Sequence, residues 1–360
     1  MISVLIVNYF SHALTVRAVS SVLAEDAAAQ VIVVDNSHDS SEADNLRGAL
    51  TVRAKLVIAT QNLGFGRACN LALEQATGDW ILLLNPDAYL LPGCLQQLQH
   101  TLRQDARIGA VSPVAQWDEA GYFLLPPGQM QTPAWECLLA IGHSFPPLGA
   151  WLSKRFKSFS MKCLYARRPV RQSMLSGGHM LLRRSAIDVV GGLFDPAFFM
   201  YYEDVDLCRR LELAGFKLML DPAARVVHQW RNDPVKLEHA ARARALYMDK
   251  HFSAVSLAAR LQRKFEHRTP PKTARFLDFG ICTESPAFHL PQHEVGNWML
   301  ELSPDPLFIP AALHRGPVAP DHIPRPVWDL LGPARYWARV THPGGQGSLF
   351  TWLIPEPESP

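Results

Sequence analysis

The chain has 360 residues, of which 48% are apolar and 19% charged, with 35 Lys plus Arg against 33 Asp plus Glu. At about 150 residues per domain, that is room for two folding units with a sizeable core. Such a balance excludes intrinsic disorder and a nucleic-acid-coating protein, and no apolar run approaches the ~18 residues a membrane helix needs.

The N-terminal stretch MISVLIVNYF lacks a basic n-region and a small-residue cleavage site, so it reads as a strand of the fold rather than a secretion signal. Residues 3–7, 31–35, 54–59, 80–84 and 108–113 are short apolar runs of the kind buried in a parallel sheet. Helical spacing fills 14–23, 41–50, 66–76 and 92–103 between them. That alternation predicts a doubly wound α/β unit, whose ligands belong at the carboxyl ends of the strands. Polar clusters stand there: Asn8-Tyr9, Asp35-Asn36, Gln61-Asn62 and Asn85-Pro86-Asp87.

From 116 to 172 the periodicity fades, and no Asp or Glu occurs between Cys137 and Ile187. Lys154, Arg155, Lys157 and Lys162 are interleaved there with Trp135, Trp151, Phe156 and Phe159. Residues 137–172 therefore read either as a membrane-surface contact or as an insertion with a solvated basic face. Order resumes over 174–230, with a helix predicted at 203–214 and short strands at 217–220 and 225–228. A long basic helix is expected from Val235 to about Phe265. Of 28 prolines, 16 fall in the last 91 residues, which excludes a helical bundle there. Runs at 275–281, 298–302, 336–340 and 348–354 predict a small antiparallel, sandwich-like unit. The expected division is 1–268 and 269–360, with 116–172 inserted in the first. Six scattered cysteines without a CxxC pair are expected to be reduced and mostly buried, as in a reducing compartment.

Asp87 follows an apolar strand behind the Asn85-Pro86 turn; alone this is ordinary turn chemistry, but in a crevice with Asp35 and His228 it gains meaning. A hard divalent ion that bridges two phosphates needs only one or two protein ligands, so one Asp and one His suffice. Glu203 and Asp204 begin a helix after the aromatic run 198–202, where carboxylates serve as caps or as a general base. Asp206 projects elsewhere and is the weaker candidate base. The glycines of NLGFGRACN (62–70) fit neither GxGxxG nor a P-loop, although backbone amides and Arg67 could hold a phosphate.

These segments together resemble the family 2 glycosyltransferases of the GT-A fold, and within it the bacterial rhamnosyltransferase-like branch. The resemblance runs from Ile2 to Phe252 and is carried by LIVNYFS, VIVVDNSHD, QNLGFGRACNLAL, GDWILLLNPDA, the long segment LSGGHM…YYEDVDLCRRLELAGF and VVHQW. It implies an α/β GT-A doubly wound mixed sheet. Asn8, Tyr9 and Asp35 would line the nucleotide-base pocket, and Asn62, Gly64, Phe65, Arg67 and Asn70 would close over the nucleotide. Asp87 is similar to the last acid of the DxD element and, with His228, would bind Mg²⁺ or Mn²⁺; Asn85 stands where the first acid would be. Asp204 resembles the catalytic base, supported by Glu203, and Gly177 and Gly178 would let the backbone approach donor or acceptor.

The implied activity is an inverting transfer of a sugar, with rhamnose as candidate, in cell-surface polysaccharide synthesis. The donor would be dTDP- or UDP-linked, the acceptor a glycan or lipid-linked saccharide. The expected place is the cytoplasm or the inner membrane face, with no nucleic-acid partner. Two other readings are a sugar nucleotidyltransferase, which normally carries a lysine-rich glycine loop absent here, and a non-catalytic glycan-binding scaffold. Convergence of Asp87, Asp204 and His228 on one place is the structural requirement.

Overall fold

The computed structural model describes residues 1–231, 236–252, 276–290, 296–342 and 347–356. Nine strands form the larger sheet: β1 (Ile2–Asn8), β2 (Gln30–Asp35), β3 (Ala54–Ile58), β4 (Trp80–Leu84), β5 (Ala88–Leu90), β6 (Ile108–Gln116), β7 (Val170–Gln172), β8 (His179–Arg183) and β9 (Lys217–His228). Their order is β3-β2-β1-β4-β8-β6-β9-β5, and β7 also pairs with β9. β1, β2, β3 and β4 are mutually parallel, while β8 runs antiparallel to both β4 and β6, so the sheet is mixed.

The helices are α1 (His12–Glu25), α2 (Ser40–Ala49), α3 (Phe65–Glu74), α4 (Cys94–Gln104), α5 (Pro133–Ser144), α6 (Pro146–Leu164), α7 (Arg184–Val189), α8 (Glu203–Leu213) and α9 (Lys236–His251). Every residue of β1 is buried, which is why it reads as an unbroken apolar run. Successive side chains point to opposite faces. Val4 and Ile6 meet apolar residues of α1 and α4 on one side, and Leu5 and Val7 meet those of α3 and α8 on the other. Three layers result. The register places Asn8 beside Asp35 at the carboxyl ends of β1 and β2, next to the point where strand order reverses toward β4.

The strands expected at 217–220 and 225–228 are one strand, β9. Its register against β6 shifts between the Pro113 and Val114 pairs, because Asp221-Pro222 interrupts the alternation. Asp221 is buried there and accepts from Gln97 (2.9 Å) and Thr101 (2.5 Å). β9 consequently serves two neighbours, β7 along its first half and β5 along its second.

Residues 116–172, expected to be irregular, contain α5 and α6, which meet at Phe145. Part of their apolar content is a joint: Leu152 and Phe156 pack with Trp135, Leu139 and Ile309. The basic face is also not uniformly solvated, since Lys157 binds buried Glu301 at 3.0 Å alongside Arg339. The rest of the helix expected at 235–265, beyond α9, and the 268/269 boundary lie outside the described residues.

The C-terminal segment is β-rich as expected, but it forms one sheet among the described residues rather than two stacked ones. β10 (Leu277–Ile281), β11 (Trp298–Ser303), β12 (Ala312–Gly316), β13 (Ala334–Thr341) and β14 (Ser348–Ile354) lie in the order β10-β14-β13-β11-β12. The β10–β14 pair is parallel, the others antiparallel. Loops and the short helix Arg325–Trp328 supply the cover that a second sheet would have given. Trp117 and Phe123, from the segment after β6, enter the same core as Trp328, Tyr336 and Trp352. Leu124 and Leu313 exchange backbone hydrogen bonds at 2.8 and 2.9 Å, stitching the two sheets' segments together. The cysteines are all free and, apart from half-buried Cys282, buried.

Candidate active site

At the end of β1, Asn8 is fully buried and fully engaged. Its Nδ2 donates to Asp35 Oδ1 (3.1 Å) and Glu42 Oε1 (3.0 Å), and its Oδ1 accepts from Ser11 and Thr15. Asn8 thus orients Asp35 rather than presenting donors to a ligand. Asp35 is also buried, and its Oδ2 has no hydrogen-bond partner among the described residues. Burial alone would raise the Glu42 carboxyl, but hydrogen bonds from Asn8 and His12 outweigh it and hold it below its usual range. Tyr9 stands beside this polar floor with its side chain 53% exposed.

The 62–70 stretch closes onto the segment that leads into α8. Asn36, singled out only as a strand-end residue, ties down its start: Nδ2 donates to Asn62 Oδ1 and Oδ1 accepts from Leu63 N–H. Gly64 adopts φ 76°, and a Cβ there would lie 2.1 Å from Phe199 O, so no other residue fits. Phe65 N–H donates to that same oxygen at 2.8 Å, and its ring meets Phe194. Arg67 Nε donates to Pro196 O (2.6 Å), while the Asn70 amide and the Phe194 backbone bond reciprocally. These two side chains, expected to close over the nucleotide, fasten the 194–196 loop.

Asp87 follows β4, and the antiparallel pairing of β5 with the end of β9 sets Ala88 opposite His228. Gln229 N–H donates to Asp87 O at 2.9 Å and locks the turn. His228 Nε2 then faces Asp87 Oδ1 at 3.3 Å without hydrogen-bond geometry, in a site where His228 is buried. Asn85 Oδ1 is likewise buried without a hydrogen-bond partner among the described residues. The His228 imidazole, the Asp87 carboxylate and the Asn85 amide oxygen form a donor set that fits a hard divalent cation held by few protein ligands. No group of three or more His, Cys, Asp or Glu suited to a metal occurs among the described residues. His179 packs edge-on against His228 with ring centroids 5.3 Å apart, and its Nδ1 bonds Ser112 Oγ at 2.9 Å. Burial, and then His228, push its pKa down to about 3, so that ring is neutral.

Glu203 and Asp204 open α8 behind two tyrosines in left-handed conformation, Tyr201 (φ 70°) and Tyr202 (φ 64°). Asp204 Oδ2 accepts from Gly177 N–H at 3.0 Å and Oδ1 from Val205 N–H at 2.8 Å. Burial raises the Asp204 carboxyl against the lowering effect of those bonds. Glu203 is buried, its Oε2 lacks a partner among the described residues, and burial followed by the Asp204 charge raises it to about 8. With its value near 8, Glu203 holds a proton near neutrality, and burial makes its neighbour Asp204 harder to ionise than an ordinary aspartate. Asp206 is bound by Arg210, Lys250 and His251; although burial would raise it, those contacts hold it low, as suits a structural anchor.

The acid pair and the Asp87 turn meet at two consecutive glycines. Gly177 donates to Asp204, and a Cβ at Gly178 would approach Asn85 Nδ2 to 2.9 Å and His228 Cε1 to 3.0 Å. Asp87, His228 and Asp204, far apart in sequence, are thus gathered around Gly177-Gly178, and Asn85 N–H bonded to Gly178 O (2.8 Å) ties that turn to the end of β4.

Residues 1–247 match the family model described as Glycosyltransferase like family 2. The chain belongs to that family and is a glycosyltransferase, in its rhamnosyltransferase-like branch. It is 32% identical over 219 residues to the N-acetylglucosaminyl-diphospho-decaprenol L-rhamnosyltransferase of Mycobacterium tuberculosis, covering 57% of this chain and 68% of that one. A 58-residue stretch, 16% of this chain and 22% of the relative, is 47% identical to rhamnosyltransferase WbbL of Escherichia coli. Among solved structures, the mannosyltransferase PcManGT of Pyrobaculum calidifontis, in complex with GDP-Man and Mn²⁺, is 16% identical with a TM-score of 0.47, over 69% of this chain and 64% of that one.

Proposed function

We infer that the protein transfers a sugar, with rhamnose as candidate, from a dTDP- or UDP-linked donor to a saccharide hydroxyl with inversion. Both rhamnosyltransferase relatives support the sugar, and the mycobacterial one, named for an N-acetylglucosaminyl-diphospho-decaprenol acceptor, supports a lipid-linked saccharide as acceptor. One observation carries the chemical reading: Gly177 and Gly178 bring the Asp204 carboxylate and the Asp87–His228 pair to adjacent backbone positions. Tyr9 offers a face for the nucleobase and Asp35 Oδ2 accepts from its donors, held in place by Asn8. The 62–65 turn, buttressed by Arg67 and Asn70, closes the nucleotide side.

Asp87 and His228, with Asn85 beside them, would hold Mg²⁺ or Mn²⁺, which neutralises charge on the departing diphosphate. Asp204 sits on the attacking side. As the acceptor oxygen bonds to the anomeric carbon, the bond to the diphosphate breaks and its electron pair leaves with the phosphate oxygen. The hydroxyl proton passes to Asp204, whose two backbone donors keep it oriented without protonating it. Glu203, carrying its proton, keeps a second negative charge out of the pair. A single displacement of this kind inverts the anomeric centre.

A panel of nucleotide sugars assayed for nucleotide release, with and without EDTA, tests the reading. Release that is unaffected by Asp204→Asn would remove the base, and release indifferent to EDTA and to Asp87→Ala would remove the metal.

The reading extends to organisation and location. The division near 268/269 is supported by the two sheets sharing no strand among the described residues, with Trp117, Phe123 and Leu124 joining the first unit to the second. No helix among the described residues is long and apolar enough to cross a membrane. The outer stripe of α6, with Trp151, Lys154, Arg155 and Lys162 exposed at helical spacing and Arg155 stacked on Trp151 (5.1 Å), supports a contact with the inner membrane face. Liposome binding by wild type and by a Lys154→Ser, Arg155→Ser, Lys162→Ser variant tests it; Lys157 is spared because it binds Glu301. Equal binding by the two would remove the contact.

A further inference from the structure

A cavity of about 280 Å³ lies between the large sheet and the C-terminal sheet. Its one side is made by Leu164, Leu220 and Trp230, its other by Leu302, Pro310 and Ala312 of the C-terminal segment. His228 and Ser176 border it as well, so it abuts both the Asp87–His228 pair and the residue preceding Gly177, whose N–H holds Asp204. Anything seated in it lies on the reaction's doorstep.

The polar groups of this lining are mostly turned to one another. Ser112 Oγ bonds His179 Nδ1 at 2.9 Å, Gln172 Nε2 bonds Cys163 Sγ at 3.3 Å, and Trp117 Nε1 donates to Trp230 O at 2.8 Å. No Lys, Arg, Asp or Glu lines the cavity among the described residues. Among the lining side chains only Gln172 Oε1 and His228 Nε2 are buried without a hydrogen-bond partner among the described residues, so a saccharide ring would lose hydration of its several hydroxyls for at most two partners, a net cost, whereas hydrocarbon gains from the same walls. Leu164 is the last residue of α6, the helix whose outer stripe carries Trp151, Lys154, Arg155 and Lys162. One element therefore runs from a surface suited to lipid headgroups to the wall of an apolar cavity beside the reacting centre.

We propose that this cavity seats the first segment of the hydrocarbon chain of a lipid-linked saccharide acceptor, so that the C-terminal sheet selects lipid-linked over free saccharide. The proposal rests on the glycosyl-transfer reading and gives the acceptor's lipid a seat in the fold.

The test uses the full chain and two probes with the same sugar, methyl and decyl N-acetylglucosaminide, the latter below its micellar concentration. Binding is measured by calorimetry on wild type and on Ala312→Phe, which fills the cavity from the C-terminal side. Titration with nucleoside diphosphate and Mn²⁺ checks that the variant is folded. Wild type should bind the decyl probe at least about tenfold more tightly, the effect of burying some two methylene groups, and the variant should lose most of that preference while its nucleotide titration is unchanged. Equal binding of the two probes by wild type overturns the proposal and needs no variant. So does a chain-length preference that survives Ala312→Phe but disappears in the Lys154→Ser, Arg155→Ser, Lys162→Ser variant, since the surface of α6 would then be reading the hydrocarbon. Failure of the glycosyl-transfer reading is seen separately, as absence of nucleotide release from any donor with wild type.

Discussion

The crevice at the ends of β1, β2 and β4 and the cavity against the C-terminal sheet are built on opposite terms. In the first, nearly every polar side chain is bonded to a specific partner, and the few atoms left over, Asp35 Oδ2, Asn85 Oδ1 and His228 Nε2, border the crevice. In the second, most polar groups satisfy one another, Gln172 Oε1 standing apart, and the walls are mainly hydrocarbon. Placing charge is a matter of single atoms, so the crevice depends on individual residues. Accepting an apolar chain is a matter of area, so the cavity depends on how two sheets are held together.

The sharpest way to break that contrast is Asp204→Asn. Loss of the base should lower kcat by ~10² to 10⁴-fold, read in steady-state assays with saturating donor. A comparable blow to the other region is Glu301→Ala. Lys157 and Arg339 would be left without their buried carboxylate, at a cost of about 3–5 kcal/mol in urea unfolding, with the loss centred on the C-terminal sheet. Next comes Gly64→Ala, where the left-handed backbone alone costs about 1–3 kcal/mol and the approach to Phe199 O adds to it. Thermal melts should show this, together with a weaker grip on the nucleotide.

Glu203→Gln sharpens the division within the acid pair. Since Glu203 holds a proton at neutral pH, activity at pH 7 should change by less than about threefold, against the large loss in Asp204→Asn. The sign of its pH effect follows from the raised value. Between the ordinary 4.5 and about 8 the folded protein binds the proton that the unfolded chain has released, so stability falls as pH rises through that window. Melting curves from pH 5 to 8 should therefore show wild type losing ground to Glu203→Gln. The acid limb of the rate profile should also lie above the usual aspartate range near 3.9, because burial raises Asp204.

The smallest effect belongs to the joint. His143 Nε2 bonds Asp305 at 2.8 Å, which raises the imidazole against the opposing effect of burial. Its contribution is complete below the ordinary 6.5 and lost as pH climbs through the raised value. Asp305→Asn should remove that dependence, worth less than about 1 kcal/mol, from the melting curves.

The crevice was legible in sequence because its strands are buried on both faces and its turns announce themselves. A run such as 80–84 followed by Asn85-Pro86-Asp87, or an acid pair opening a helix, is ordinary alone and gains meaning from the other strand ends that accompany it. Asn36 was visible only as a strand-end residue and Glu42 not at all, because their roles depend on Asn62, 26 residues away, and Asn8, 34 residues away, which only folding brings near. The helices α5 and α6 were hidden for a different reason. Phe156 and Lys157 face the C-terminal segment while Trp151 and Lys154 face outward, so two contact faces blur the single stripe that marks an ordinary amphipathic helix. Leu302, Pro310 and Ala312 carry no signal at all, since an apolar residue looks alike whether it fills a core or borders a cavity.

The paired tyrosines before α8 bear on where the catalytic unit ends. Tyr201 and Tyr202 are held in their left-handed shape within a cluster that includes Phe198, Ala243 and Tyr247, the latter two on α9. That helix follows the last strand of the large sheet and works as a splint behind the acids. A truncated chain ending at β9 would keep every strand of that sheet, yet leave the segment carrying Glu203 and Asp204 free to unwind, so the shortest working enzyme has to retain that helix for its packing alone.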